Sequence, residues 1–194
     1  MSDTRKSPIG SLVAEASVGI KAVLSHPTDM VKLGVKGRNL VEWAARHDIE
    51  IPTTLYATLP VGRDGVLARV GDGELILECA MGDLLWERFN AALQVAGSGV
   101  YRMEQESVTL ILRGQQALEI FAQTCGVDLG SEPVDRMIYT RVAGVSCGIL
   151  PRDEGSQRVF RLWVEYSLAP YLWETLAGIT AELVADGSAT SAKK

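Results

Sequence analysis

Residues 108–122 read Val-Thr-Leu-Ile-Leu-Arg-Gly-Gln-Gln-Ala-Leu-Glu-Ile-Phe-Ala. Val108, Leu110 and Leu112 alternate with Thr109, Ile111 and Arg113, which is the period of a strand. Gly114 breaks the alternation. Beyond it Leu118, Phe121, Ala122 and Cys125 fall at i, i+3, i+4 and i+7, which predicts a helix over 115–125 with those four on its buried stripe. Gly126 follows as its expected C-terminal glycine. The same strand–Gly–helix unit occurs earlier, at 31–45, Val-Lys-Leu-Gly-Val-Lys-Gly-Arg-Asn-Leu-Val-Glu-Trp-Ala-Ala. Val31/Val108, Leu33/Leu110, Gly37/Gly114, Glu42/Glu119 and Ala45/Ala122 are identical, and Lys36 matches Arg113 in charge.

A second pair of segments repeats in the same order. Residues 75–87 echo 162–174, with Leu75/Leu162, Glu78/Glu165 and the Leu-Trp-Glu triplets 85–87 and 172–174 coinciding. An insertion in the second half accommodates the changed spacing. Two copies do not make a solenoid, which needs three or more stacked units. They predict a single globule made of two similar halves about a pseudo-two-fold axis.

Working outward, each half reads β-α-β-β-β-α. In the first half, strand 31–36 leads to a helix ending near Arg46, and Pro52 restarts an extended run at 53–60. A hairpin then joins 66–70 to 75–78 through Gly71-Asp72-Gly73, and a helix spans 82–94 with Leu85, Phe89, Ala92 and Leu93 inward. The second half has strand 107–113, the helix 115–125, an extended run 137–150, a wide loop 151–157, strand 158–165 and a long helix from Leu168. Leu172, Leu176, Ile179 and Leu183 mark the inner face of that last helix. The fold class is α+β, with antiparallel sheets and packed helices. Halves are expected at about 29–98 and 99–185 of one domain. Residues 1–28 precede the first repeat without a counterpart and predict an arm, packed on this chain or another, with Leu12, Val13, Ala16, Ile20 and Val23 on one helical face. Residues 186–194 are small and polar and predict a disordered tail.

Composition excludes several classes. The net charge is −5, with 47% hydrophobic and 22% charged residues. That balance suits a globular protein and not a phosphate-binding nucleic-acid partner, which carries a basic face. No apolar run approaches the roughly 18 residues of a membrane span, and Ser7-Pro8-Ile9-Gly10-Ser11 interrupts any secretory signal. The 3 cysteines, Cys79, Cys125 and Cys147, lack a Cys-x-x-Cys pair and sit in apolar patterns. Buried reduced thiols and a cytoplasmic location follow as expectations.

No catalytic, cofactor-binding or metal-binding residue emerges. The 2 histidines, His26 and His47, have no ligand-like neighbours, so a structural role is expected for each. No phosphate-binding glycine loop or nucleophile elbow is present. Asp64, Asp72, Glu74, Glu104 and Glu106 could act as general bases, but no partner that would tune one is apparent. Glu78 and Glu165 end strands before helices, where helix-terminus electrostatics explains them. Trp86 and Trp173 are repeat-related and expected in equivalent places, and Trp43 and Trp163 occupy apolar-patterned positions.

This order of elements resembles the folate-binding domain shared by the glycine cleavage T protein and its relatives, among them the γ subunit of heterotetrameric sarcosine oxidase. The resemblance is carried by the hairpin 64–77, Asp-Gly-Val-Leu-Ala-Arg-Val-Gly-Asp-Gly-Glu-Leu-Ile-Leu, and by Ser107–Gly114 leading into a helix. Pro52 through Tyr56 and Ser7-Pro8-Ile9 also look like the γ subunit. In the T protein the first of these strands carries an Asp pair, one of which acts on the folate-bound one-carbon unit. Those positions fall here at Ala68 and Arg69; an alanine cannot take a proton, and an arginine repels a cationic iminium. The T protein's C-terminal barrel and the cysteine motif of iron–sulfur assembly relatives have no counterpart. The resemblance therefore implies a γ-type chain that binds no cofactor itself. Its partners would be the α, β and δ subunits of a cytoplasmic complex oxidising sarcosine or another N-methyl amine, as in sarcosine oxidase or N-methylglutamate dehydrogenase. FAD, FMN, NAD and tetrahydrofolate would belong to those partners. A free-standing folate-binding protein or one-carbon transferase is the alternative.

Overall fold

A computed structural model describes residues 7–95 and 98–191. The elements, in chain order, begin with two short helices, α1 (Gly10–Glu15) and α2 (Val18–Val23), and the two-residue strand β1 (Leu24–Ser25). The first repeat follows as β2 (Met30–Gly37), α3 (Leu40–Arg46), β3 (Thr58–Val61), β4 (Gly65–Gly71), β5 (Glu74–Ala80) and α4 (Leu84–Leu93). A short strand β6 (Val100–Met103) precedes the second repeat. That repeat is β7 (Ser107–Arg113), α5 (Gln115–Thr124), β8 (Ile138–Val142), β9 (Val145–Glu154), β10 (Gln157–Glu165) and, after the 3-10 turn Tyr166–Leu168, α6 (Ala169–Ser191). Both repeats are therefore β-α-β-β-β-α, and all strand pairs are antiparallel.

Two compact units result. The first comprises Asp29–Gln105 with Asp135–Met137, and holds the sheet β3-β4-β5-β2-β6. The second takes the chain up to Thr28, Glu106–Val134 and the chain from Ile138 onward, and holds β8-β9-β10-β7-β1. The strand orders correspond one to one. Each outermost strand is exchanged: β1 precedes the first repeat yet pairs with β7, placing Leu24 opposite Leu112, while β6 precedes the second repeat yet pairs with β2. A cut of the chain into halves near residue 98 misses this exchange, because edge-strand ownership is a tertiary choice.

In the first unit one sheet face packs on α3 and α4. Leu33, Val35, Leu67, Leu75, Leu77 and Cys79 meet Leu40, Trp43, Ala44, Phe89 and Ala92. Trp43 lies against Phe89 at 5.8 Å and against the His47 ring at 5.3 Å. The turn of the β4–β5 hairpin reaches back to β2, where the Gly37 N–H donates to Gly73 O at 2.9 Å. A Cβ on Gly73 would lie 2.5 Å from Gly37 O, so only glycine permits this approach.

In the second unit Leu110, Leu112, Ile149, Phe160 and Leu162 pack on α5 and α6, with Phe121 edge-on to Phe160 at 4.9 Å. The N-terminal residues expected as an arm contribute to this core: Ile9 and Leu24 are fully buried. Their helix is broken in two at Ala16, which is extended, and Ser17 caps the second piece. Helix α6 continues to Ser191, past Asp186, where a disordered tail is expected. Residues 1–6 of the expected arm, and 192–194 of the expected tail, lie outside the described residues.

Four local expectations change. The inner stripe of α5 is Ala117, Ile120 and Phe121, not Leu118 and Ala122. It matches Leu40, Trp43 and Ala44 of α3 position for position in the repeat. Gly126 does not cap the helix; Cys125 ends it in extended geometry. The extended run 137–150 is a hairpin turning at Ala143-Gly144, and the expected wide loop 151–157 contracts to a tight turn at Gly155-Ser156. Pro151 is tolerated inside β9 because β8 has already ended, its Ile138 pairing with Ile149.

Candidate functional site

The strand β4 carries the two positions that the sequence singles out. Ala68 is fully buried between Thr58 of β3 and Ile76 of β5. Arg69 begins a register irregularity that leaves Val70 unpaired and tips the hairpin turn. Its guanidinium donates to Pro52 O at 3.3 Å, Thr53 O at 2.9 Å and Asp72 O at 3.1 Å. Its backbone N–H donates to Ala57 O, and its carbonyl accepts from Tyr56 N–H. The planar fork thus ties the 52–57 segment to the hairpin turn. Nη1 and Nη2 are bonded to backbone carbonyls, which makes Arg69 a clamp within the fold, while its Nε is buried with no hydrogen-bond partner among the described residues.

Glu78 is 1% exposed in the middle of the same sheet, opposite Lys32 on β2 and Val66 on β4. Lys32 Nζ lies 3.9 Å from its Oε1, and both side chains are buried. This corrects the expectation that helix-terminus electrostatics explains Glu78. A carboxylate this deep needs a cation, and Lys32 supplies one from the facing strand. Glu165 does fit that expectation: its carboxylate accepts from Ser167 N–H at 3.0 Å and from the Ser167 hydroxyl, capping the 3-10 turn. These bonds, the hydroxyl first, hold its pKa below the usual glutamate value.

The ladders also show why the two glutamates differ. Leu77 stands opposite Leu33, and Leu162 stands opposite Leu110, so Leu162 is the counterpart of Leu77, not of Leu75. By the same register the counterpart of Glu78 is Trp163, facing Thr109. The Leu-Trp-Glu triplets keep their correspondence on the helices, where Phe89 and Leu176 fill matching buried places. Trp86 and Trp173 nevertheless differ: Trp173 is buried, whereas Trp86 is half-buried beneath the Arg102 guanidinium, 5.6 Å from its ring.

Asp64, Asp72, Glu74 and Glu104 belong to the first unit and Glu106 to the second. Asp64 sits in an exposed pair with Arg63, and Glu74 pairs with Lys36 across the sheet. The Glu106 carbonyl accepts from Tyr166 N–H. Among the described residues no group of His, Cys, Asp and Glu could hold a metal ion.

His26 Nδ1 lies 2.7 Å from Thr109 O and fastens the segment after β1 to β7, while His47 packs on Trp43. The cysteines are free. Burial pushes the Cys79 thiol up to about 12, helped by the Asp83 and Glu78 charges. Cys147 is likewise pushed up to about 12, chiefly by burial. Neither provides a thiolate near neutral pH. No helix among the described residues is long and apolar enough to cross a membrane.

Sequence reasoning missed β6. Its four residues, Val-Tyr-Arg-Met, alternate only weakly and follow Gly97-Ser98-Gly99, so the run reads as a linker. Yet β6 brings Tyr101 (69% exposed) and Met103 to one face of a sheet edge, and Arg102 to the other.

Comparison with known proteins agrees with the geometry at the level of fold. No family model matches the chain, and no curated protein sequence does. A chain of the heterotetrameric sarcosine oxidase from Corynebacterium sp. U-96, solved with pyrrole 2-carboxylate, superposes with a TM-score of 0.73 at 20% identity, covering 93% of this chain and 96% of that one. The glycine cleavage system aminomethyltransferase T from Bartonella henselae gives 0.57 at 19% identity, covering 80% of this chain but 45% of the transferase. The doubled antiparallel β-α-β-β-β-α fold of this protein is thus the fold of a sarcosine oxidase chain, and of less than half of a glycine cleavage T protein.

Proposed function

We propose that this chain is a non-catalytic, γ-type subunit of a heterotetrameric flavoenzyme that oxidises sarcosine or a related N-methyl amine. The observation that carries the reading is the likeness to a sarcosine oxidase chain over nearly the full length of both. The residues on β4 support it. Where a one-carbon transferase would need a carboxylate, Ala68 is buried in the sheet and Arg69 donates from Nη1 and Nη2 to the Pro52, Thr53 and Asp72 carbonyls. The buried Glu78 is neutralised by Lys32, which suits a structural charge pair better than a proton acceptor. In this reading the chain docks on the large α subunit of an α, β, γ and δ assembly and stabilises it. FAD, FMN, NAD and tetrahydrofolate are held by the partners, and the complex works in the cytoplasm.

The alternative is a free-standing folate-binding protein or aminomethyl transferase, which the T protein fold keeps in view. Tetrahydrofolate titration of the purified full chain, followed by calorimetry, separates the two. The subunit reading predicts no saturable heat at ligand concentrations up to the millimolar range. Saturable binding with one site per chain would favour the transferase.

A further inference from the structure

We draw no further inference here: the strongest candidate, the cluster of Arg113, Arg152 and Arg161 around Val159 on one face of the second unit's sheet, carries nothing, because Arg113 is already engaged by the Ser25 hydroxyl and by Glu154 and no second observation points to an anion between the three.

Discussion

Arg69 and Ala68 occupy the two positions on which the functional reading turns, and each is explained by the fold around it. The guanidinium of Arg69 closes three carbonyls that a lysine could not reach together. Hydrogen bonds to charged groups contribute roughly 1.5–3 kcal/mol each, partly recovered by water at a half-exposed site. Arg69→Met should therefore lower the stability of the full chain by about 2 kcal/mol, seen as a lower urea midpoint at unchanged m-value. A loss below about 0.5 kcal/mol would mean that the clamp is decorative and that the arginine is free for another role. The thiols make a second residue-scale prediction. With Cys79 and Cys147 buried and their pKa values raised to about 12, only the half-buried Cys125 should react with an aromatic disulfide reagent in the native protein at mildly alkaline pH. Prompt reaction of all three without denaturant would contradict the core as described. Ala68 and Arg69 were legible in the sequence; the fate of Glu78 was not. Its pairing with Lys32 depends on which strands become neighbours, and a glutamate beside a turn looks the same in sequence whether it caps a helix or lies buried.

At the scale of elements, period decided what could be read. Strands β2, β7 and β10 and helices α3 and α4 follow from alternation and from the 3.6-residue stripe. Helix α5 shows the limit of that signal. Leu118/Ala122 and Ala117/Phe121 define two stripes of nearly equal hydropathy, and packing against Phe160 selected the second. Thr124 can sit near that face because its hydroxyl donates to Ile120 O at 2.8 Å. The β8–β9 hairpin was hidden for a different reason: its turn residues are Ala143 and Gly144, both at positive φ (50° and 81°), where sequence signals expect Asn-Gly. Alanine in this conformation costs about 1–2 kcal/mol. Ala143→Gly should relieve that strain, offset by about 0.5–1 kcal/mol of chain entropy, for a net gain near 0.5 kcal/mol. Gly144→Ala should instead cost about 1–2 kcal/mol. Thermal melts of the two variants should move in opposite directions, and a common sign would refute the turn geometry.

At the scale of the whole molecule, the internal repeat was the feature that sequence displayed best, because identical Val, Leu and Gly positions survive at equal spacing in the two halves. The exchange of β1 and β6 could not be read, since two- and four-residue edge strands carry too few side chains to show a period. That exchange makes the N-terminal 7–28 segment part of the second unit's core and leaves β6 as an edge strand of the first. The measurement that tests the functional account most directly is native mass spectrometry of the tagged chain purified gently from its own host, with an absorbance spectrum of the same sample. The account predicts recovery with larger subunits at fixed stoichiometry and a flavin spectrum carried by them. A colourless, stable monomer of 20.9 kDa would contradict it.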